Sequence, residues 1–85
     1  MKKIDYKVTD SVGIHARPAG RLVKITSKFE SEVVIKTDTK SADAKKILAI
    51  MALGVKFGEN ISIIISGPDE NTAFDEISVF LRENL

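Results

Sequence analysis

The chain has no cysteine and no tryptophan, and it holds only one tyrosine, two prolines and a single histidine in 85 residues. Without cysteine there is no disulfide and no thiolate metal site, which fits a reducing cytosol. With almost no tyrosine or tryptophan there is no stacking platform for single-stranded nucleic acid. Thirteen basic against twelve acidic residues leave a formal charge of +1. That is too little for a nucleic-acid binder that works through bulk charge. No apolar run is long enough to span a bilayer, and the basic start Met1-Lys2-Lys3 leads straight into an alternating pattern rather than a signal peptide. The expectation is a cytoplasmic protein with no membrane insertion. No spacing of His, Asp and Glu suggests a metal site, and no cofactor is expected. The length predicts one domain over residues 1–85. Such a domain buries only about two-thirds of its unfolded surface, yet 44% hydrophobic residues suffice for one core.

What is present is strongly patterned. Ile4, Tyr6 and Val8 alternate with polar residues, as in a half-buried strand. Thr9 to Gly13 reads as a loop. The apolar positions Ala16, Ala19, Leu22, Val23, Ile25 and Phe29 follow helical spacing, which predicts a helix from about Ala16 to Lys28. Val33-Val34-Ile35 predicts a second strand, Thr37 to Lys40 a hairpin turn, and Ser41 to Ala44 a short third strand. Lys46 to Leu53 predicts a short helix that stops at Gly54. Ile61 to Ser66 is the most apolar strand, and Gly67-Pro68 breaks it. Asp69 or Asn71 is expected to cap a last helix with Ala73, Phe74, Ile77, Phe80 and Leu81 on one face. The order strand, helix, strand, strand, helix, strand, helix implies an α+β fold, with helices on one face of a mainly antiparallel sheet.

The lone histidine, His15, lies in the run Gly13-Ile14-His15-Ala16-Arg17-Pro18-Ala19. If the helix starts at Ala16, His15 takes the cap position, where Ser, Thr, Asp and Asn are preferred. Pro18 is acceptable in the first turn, though it biases Arg17 away from helical angles. The free N–H groups of Ala16 and Arg17 then face whatever sits over the cap, and the helix dipole favours negative charge there. Arg17 adds a guanidinium suited to phosphate oxygens. An imidazole beside such a site is a candidate phosphoryl acceptor. By position alone, a lone histidine at a helix start is more often a plain surface residue.

That run resembles the active-site motif of the histidine-containing phosphocarrier family, HPr, of the bacterial phosphoenolpyruvate-dependent sugar phosphotransferase system. Ile47 to Gly54 resembles that family's second helix, and Ile61 to Gly67 with Asp69-Glu70-Asn71 its last strand and helix start. The resemblance implies an open-faced β-sandwich: a four-stranded antiparallel sheet with three helices on one face. It implies a monomeric phosphocarrier rather than a turnover enzyme. Phosphate would arrive from Enzyme I onto Nδ1 of His15 and leave to sugar-specific EIIA domains. Arg17, Ala16 and Pro18 would form the phosphate site. Docking would use Ala16, Gly20, Lys24, Ile47, Leu48, Met51 and Gly54. On this reading Ile50 and Leu53 point inward, while Ile47, Leu48 and Met51 point toward a partner. Lys24 and Lys28 are candidates to steer an acidic partner.

The chain departs from the family pattern at three positions. Gly20 stands where a larger residue such as threonine is common, at about 1 kcal/mol of helix propensity relative to alanine. Val12 stands where a polar residue is usual. Lys46 occupies the position of the regulatory serine of Gram-positive relatives, and lysine cannot form that phosphate ester. Two other readings compete: a regulatory paralogue that acts by docking, and a small acylphosphatase-type enzyme, whose chemistry would not need His15.

Overall fold

A computed structural model describes residues 1–85. Its elements follow the expected order: β1 (Lys2–Lys7), α1 (Ala16–Thr26), β2 (Glu32–Lys36), β3 (Ser41–Asp43), α2 (Ile47–Ala52), β4 (Asn60–Ser66) and α3 (Glu70–Asn84). The strands form one sheet in the order β1-β4-β2-β3, and every neighbouring pair is antiparallel. This is the anticipated open-faced arrangement of a four-stranded antiparallel sheet with three helices.

The register explains the single core. Ile4 pairs with Ile63, Ile63 with Ile35, and Ile35 with Ala42. Paired residues share a face, so these four side chains form one row beneath the helices. Ile61, Ile63 and Ile65 alternate with half-buried Ser62, Ile64 and Ser66 along β4. Burial on one face is thus set by a period of two residues. The helices cover that face with Leu22 of α1, Ile50 of α2, and Ala73, Ile77 and Leu81 of α3, all fully buried. The last helix therefore presents the predicted stripe, with Phe74 half-buried at its edge.

Several boundaries differ from expectation. β1 begins two residues earlier, at Lys2, because its partner strand β4 extends to Ile65. α1 ends at Thr26, not Lys28. There the chain tightens: Ser27 N–H bonds the Val23 carbonyl, and Lys28 and Phe29 bond Ile25 and Thr26. Phe29 packs against the core from outside the helix. Ala16, counted with the apolar stripe, is exposed. Lys46 is not helical but extended, as the N-cap of α2.

Asp69 stands at the N-cap of α3, yet its side chain does not cap the helix. Instead its carboxylate accepts hydrogen bonds from the N–H groups of Glu30 and Ser31, each at 2.9 Å, and from the Ser31 hydroxyl. A sequence window shows only the local cap preference. The donors come from the distant α1–β2 loop. The Ser31 hydroxyl, aided by the Glu30 N–H, holds the Asp69 carboxyl below its ordinary pKa, because these bonds favour the charged form.

Candidate functional site

His15 is half-buried at the N-cap of α1, with extended backbone angles and no cap hydrogen bond from its side chain. Its carbonyl accepts the first helical bond, from Ala19 N–H at 3.0 Å. Ala16 and Arg17 occupy the first two helical positions, where their N–H groups have no acceptor in the chain. Pro18 follows in the same turn, buried and without an N–H to lose. Its bias against a helical Arg17 is overruled, since the helix already runs through Arg17. The Arg17 side chain is exposed and takes part in no ion pair. The first turn of α1 thus carries an imidazole at its cap, two free amides and an exposed guanidinium within three consecutive residues.

The loop before His15 is fixed by backbone chemistry. Gly13 has φ +83°. A Cβ there would run into the Val55 carbonyl oxygen and lie 2.7 Å from Lys56 Cα. Glycine alone meets both demands. The next residue, Ile14, is buried and donates its N–H to the Val55 carbonyl at 3.0 Å. Val55 was not singled out from sequence. The glycine ahead of the histidine was the available signal, although it cannot reveal which segment comes close.

This contact brings the end of α2 beside the histidine. Gly54 terminates α2 as anticipated, with φ +65° and Leu53 as the C-cap. Ile50 is fully buried and Leu53 half-buried, while Leu48 is 77% exposed and Ile47 and Met51 over a third exposed. Gly20 lies on the α1 face toward α2: a Cβ there would sit 3.5 Å from Ile47 Cδ1, an ordinary contact. Two further bonds brace α1 against the approach to α2. The buried Thr26 hydroxyl donates to the Ala44 carbonyl at 2.8 Å, and Lys45 Nζ donates to the Phe29 carbonyl at 2.7 Å. Neither residue was picked out from sequence, because a threonine in the last turn of a helix and one lysine among many carry no local signal.

The cations divide. Arg17, Lys24 and Lys46 are exposed and unpaired, whereas Lys28 pairs with Glu76 of α3. Lys28 is therefore part of the fold's own surface ion pairing. No His, Asp and Glu side chains gather as a metal site. None of the three surface cavities, the largest about 520 Å³, is lined by His15.

Residues 2–83 match the family model described as the PTS HPr component phosphorylation site. A phosphocarrier protein HPr of Lysinibacillus sphaericus is 39% identical over 83 residues, which are 98% of this chain and 94% of that protein. Among solved structures, the histidine-containing phosphocarrier protein of a Mycoplasma superposes with a TM-score of 0.94 at 36% identity, over 96% of this chain and 93% of that one. The Bacillus subtilis catabolite repression protein Crh, solved as a swapped dimer, superposes with a TM-score of 0.77 at 31% identity, over 94% and 92%. No helix of the chain is long and apolar enough to cross a membrane.

Proposed function

The chain belongs to the HPr family of phosphocarrier proteins, and from that premise we propose that it takes a phosphoryl group from phosphorylated Enzyme I onto His15 and passes it to sugar-specific EIIA domains in the cytoplasm. The observation that carries this reading is the helix mouth: His15 is free of side-chain cap bonds above two unpaired N–H groups and next to Arg17. In the forward step the lone pair of Nδ1 attacks phosphorus as the bond to the donor breaks. The N–H groups of Ala16 and Arg17 and the Arg17 guanidinium receive the phosphoryl oxygens, where a positive helix end favours negative charge. Pro18 fixes the turn that aims them. In the second step a nucleophile of the acceptor attacks the same phosphorus, the Nδ1–P bond breaks and the imidazole leaves. The exposed site leaves the phosphoryl group open to the next protein.

Docking on this reading uses Gly20 and Lys24 of α1 with Ile47, Leu48, Met51 and Gly54 of α2. Ile47, Leu48 and Met51 are exposed apolar side chains, and Lys24 is an unpaired cation. Lys46 puts a fixed positive charge at the start of α2, in place of a switchable hydroxyl. Incubation with phosphoenolpyruvate and Enzyme I tests the reading. The expected product gains one phosphoryl group that is labile in acid and stable in base, and His15→Ala abolishes it. A variant that still labels would refute the assignment of His15. The likeness to Crh supports a second reading, a regulatory paralogue that works by docking. On that reading the labelled protein would not pass its phosphoryl group to any EIIA domain.

A further inference from the structure

Seven large apolar side chains are exposed, and five of them, Val12, Ile47, Leu48, Met51 and Phe57, fall on the two segments that meet beside His15. The α2 side chains were anticipated there, but Val12 and Phe57 belong to neither helix. Val12 is 65% exposed and Phe57 64% exposed, and neither belongs to the core cluster. Each rides on a tight turn, a place that normally takes polar residues.

Both turns are closed by hydrogen bonds. Val12 N–H bonds the Asp10 carboxylate at 2.8 Å, and Gly13 N–H bonds the Asp10 carbonyl at 3.0 Å. Across from it, Lys56 N–H bonds the Glu59 carboxylate at 2.6 Å, and Gly58 N–H ties the turn to the Val8 carbonyl at 2.9 Å. The two turns are held against each other by the Ile14–Val55 bond and the close approach of Gly13 to Lys56. Folding gains little from either side chain, yet both sit on turns that the backbone contacts around Gly13 and Ile14 hold together next to the histidine in the chain. Preorganisation lowers the ordering cost of binding. The charges point the same way: Arg17, Lys24, Lys46 and Lys56 are exposed, and none has a carboxylate partner in the chain.

We propose that Val12 and Phe57 extend the docking face past His15, and that they receive an apolar ridge edged with carboxylates on the protein that donates the phosphoryl group. This rests on the phosphocarrier reading and adds to it a second apolar contact outside the two helices. A buried aromatic anchor can carry a large share of a contact's energy, and Phe57 is the exposed aromatic of this face.

The test measures His15 labelling at increasing concentrations of this protein, with phosphoenolpyruvate and the Enzyme I of the same bacterium. The variants are Val12→Ser, Phe57→Gln, the double variant, and Phe57→Leu as an apolar control. Thermal melts first show that all remain folded. The double variant is expected to raise KM at least tenfold with kcat within twofold, while Phe57→Leu stays near the parent. A KM unchanged in the double variant overturns the proposal, and so does a loss confined to kcat. If the parent itself takes no label, the phosphocarrier reading falls together with the proposal. A labelled parent with unaffected variants removes the proposal alone.

Discussion

Ile14 donates its backbone N–H to the carbonyl of Val55 at 3.0 Å, one residue ahead of His15. That bond anchors the reactive loop to the segment after α2, and Gly13 makes it possible by leaving room for the Val55 carbonyl. Gly13→Ala adds a Cβ where backbone already stands and forces alanine to a positive φ. The expected cost is about 1–3 kcal/mol, read as a lower denaturation midpoint. His15 labelling should slow further than stability explains, since the loop carrying the imidazole has to move. A variant as stable and as active as the parent would show that the close approach is dispensable.

Arg17 can be tested without disturbing the fold, because its side chain is exposed and unpaired. Arg17→Ala should leave the melting temperature unchanged and lower the rate of phosphoryl transfer on the order of 100-fold, as expected for the loss of one charge-stabilising group. Arg17→Lys should recover only part of the rate, since a point charge replaces a fork of donors. Single-turnover labelling of His15 provides the measurement.

The bracket between Asp69 and the Glu30–Ser31 amides predicts a pH dependence. These bonds lower the Asp69 pKa in the folded state. Its stabilisation is therefore complete above the unfolded aspartate value of about 3.9, and it is lost as pH falls from there through the lower folded value. Asp69→Asn should be less stable than the parent at neutral pH. The gap in denaturant midpoint should close as pH drops below the ordinary aspartate range. Urea titrations at several pH values would reveal a constant gap if the carboxylate charge were irrelevant.

Thr26→Val keeps the shape of a fully buried side chain but removes the hydroxyl that reaches the Ala44 carbonyl. A buried acceptor left unpaired costs about 1–3 kcal/mol, measurable by chemical denaturation. Because the bond ties α1 to the approach of α2, amide shifts in a heteronuclear NMR spectrum should concentrate at Ala44 to Ile47. Shifts confined to α1 would argue against a brace between the helices.

Lys46→Glu reverses the charge at the start of α2, where no internal partner is lost. Transfer from Enzyme I should show a KM several-fold higher at low salt, with the difference narrowing as ionic strength rises. A KM insensitive to the substitution at every salt concentration would place Lys46 outside the docking face.

Much of the secondary structure was legible because it depends on short periods. Ile61, Ile63 and Ile65 read as a strand with one buried face, and Ala73, Ile77 and Leu81 as a helical stripe, which they form. Gly54 read as a helix stop for a reason confined to its own φ. Asp69 takes the expected N-cap position, but its side chain does not cap the helix. Its local preference for a helix cap lost to three donors from a loop distant in sequence. Phe57 reads with Gly58, Glu59 and Asn60 as a turn, and turn chemistry does not say which tip lies near the histidine.

The sequence by itself determined the order of elements and the chemistry of the helix mouth. His15, Arg17 and Pro18 are neighbours in the chain, and one helical turn is enough to gather them. Only the tertiary structure decided what surrounds that mouth. The β1-β4-β2-β3 order, the Thr26–Ala44 brace and the meeting of Gly13 with Val55 and Lys56 join residues far apart in sequence. Such contacts depend on closing long loops around a shared core, and no local pattern specifies them.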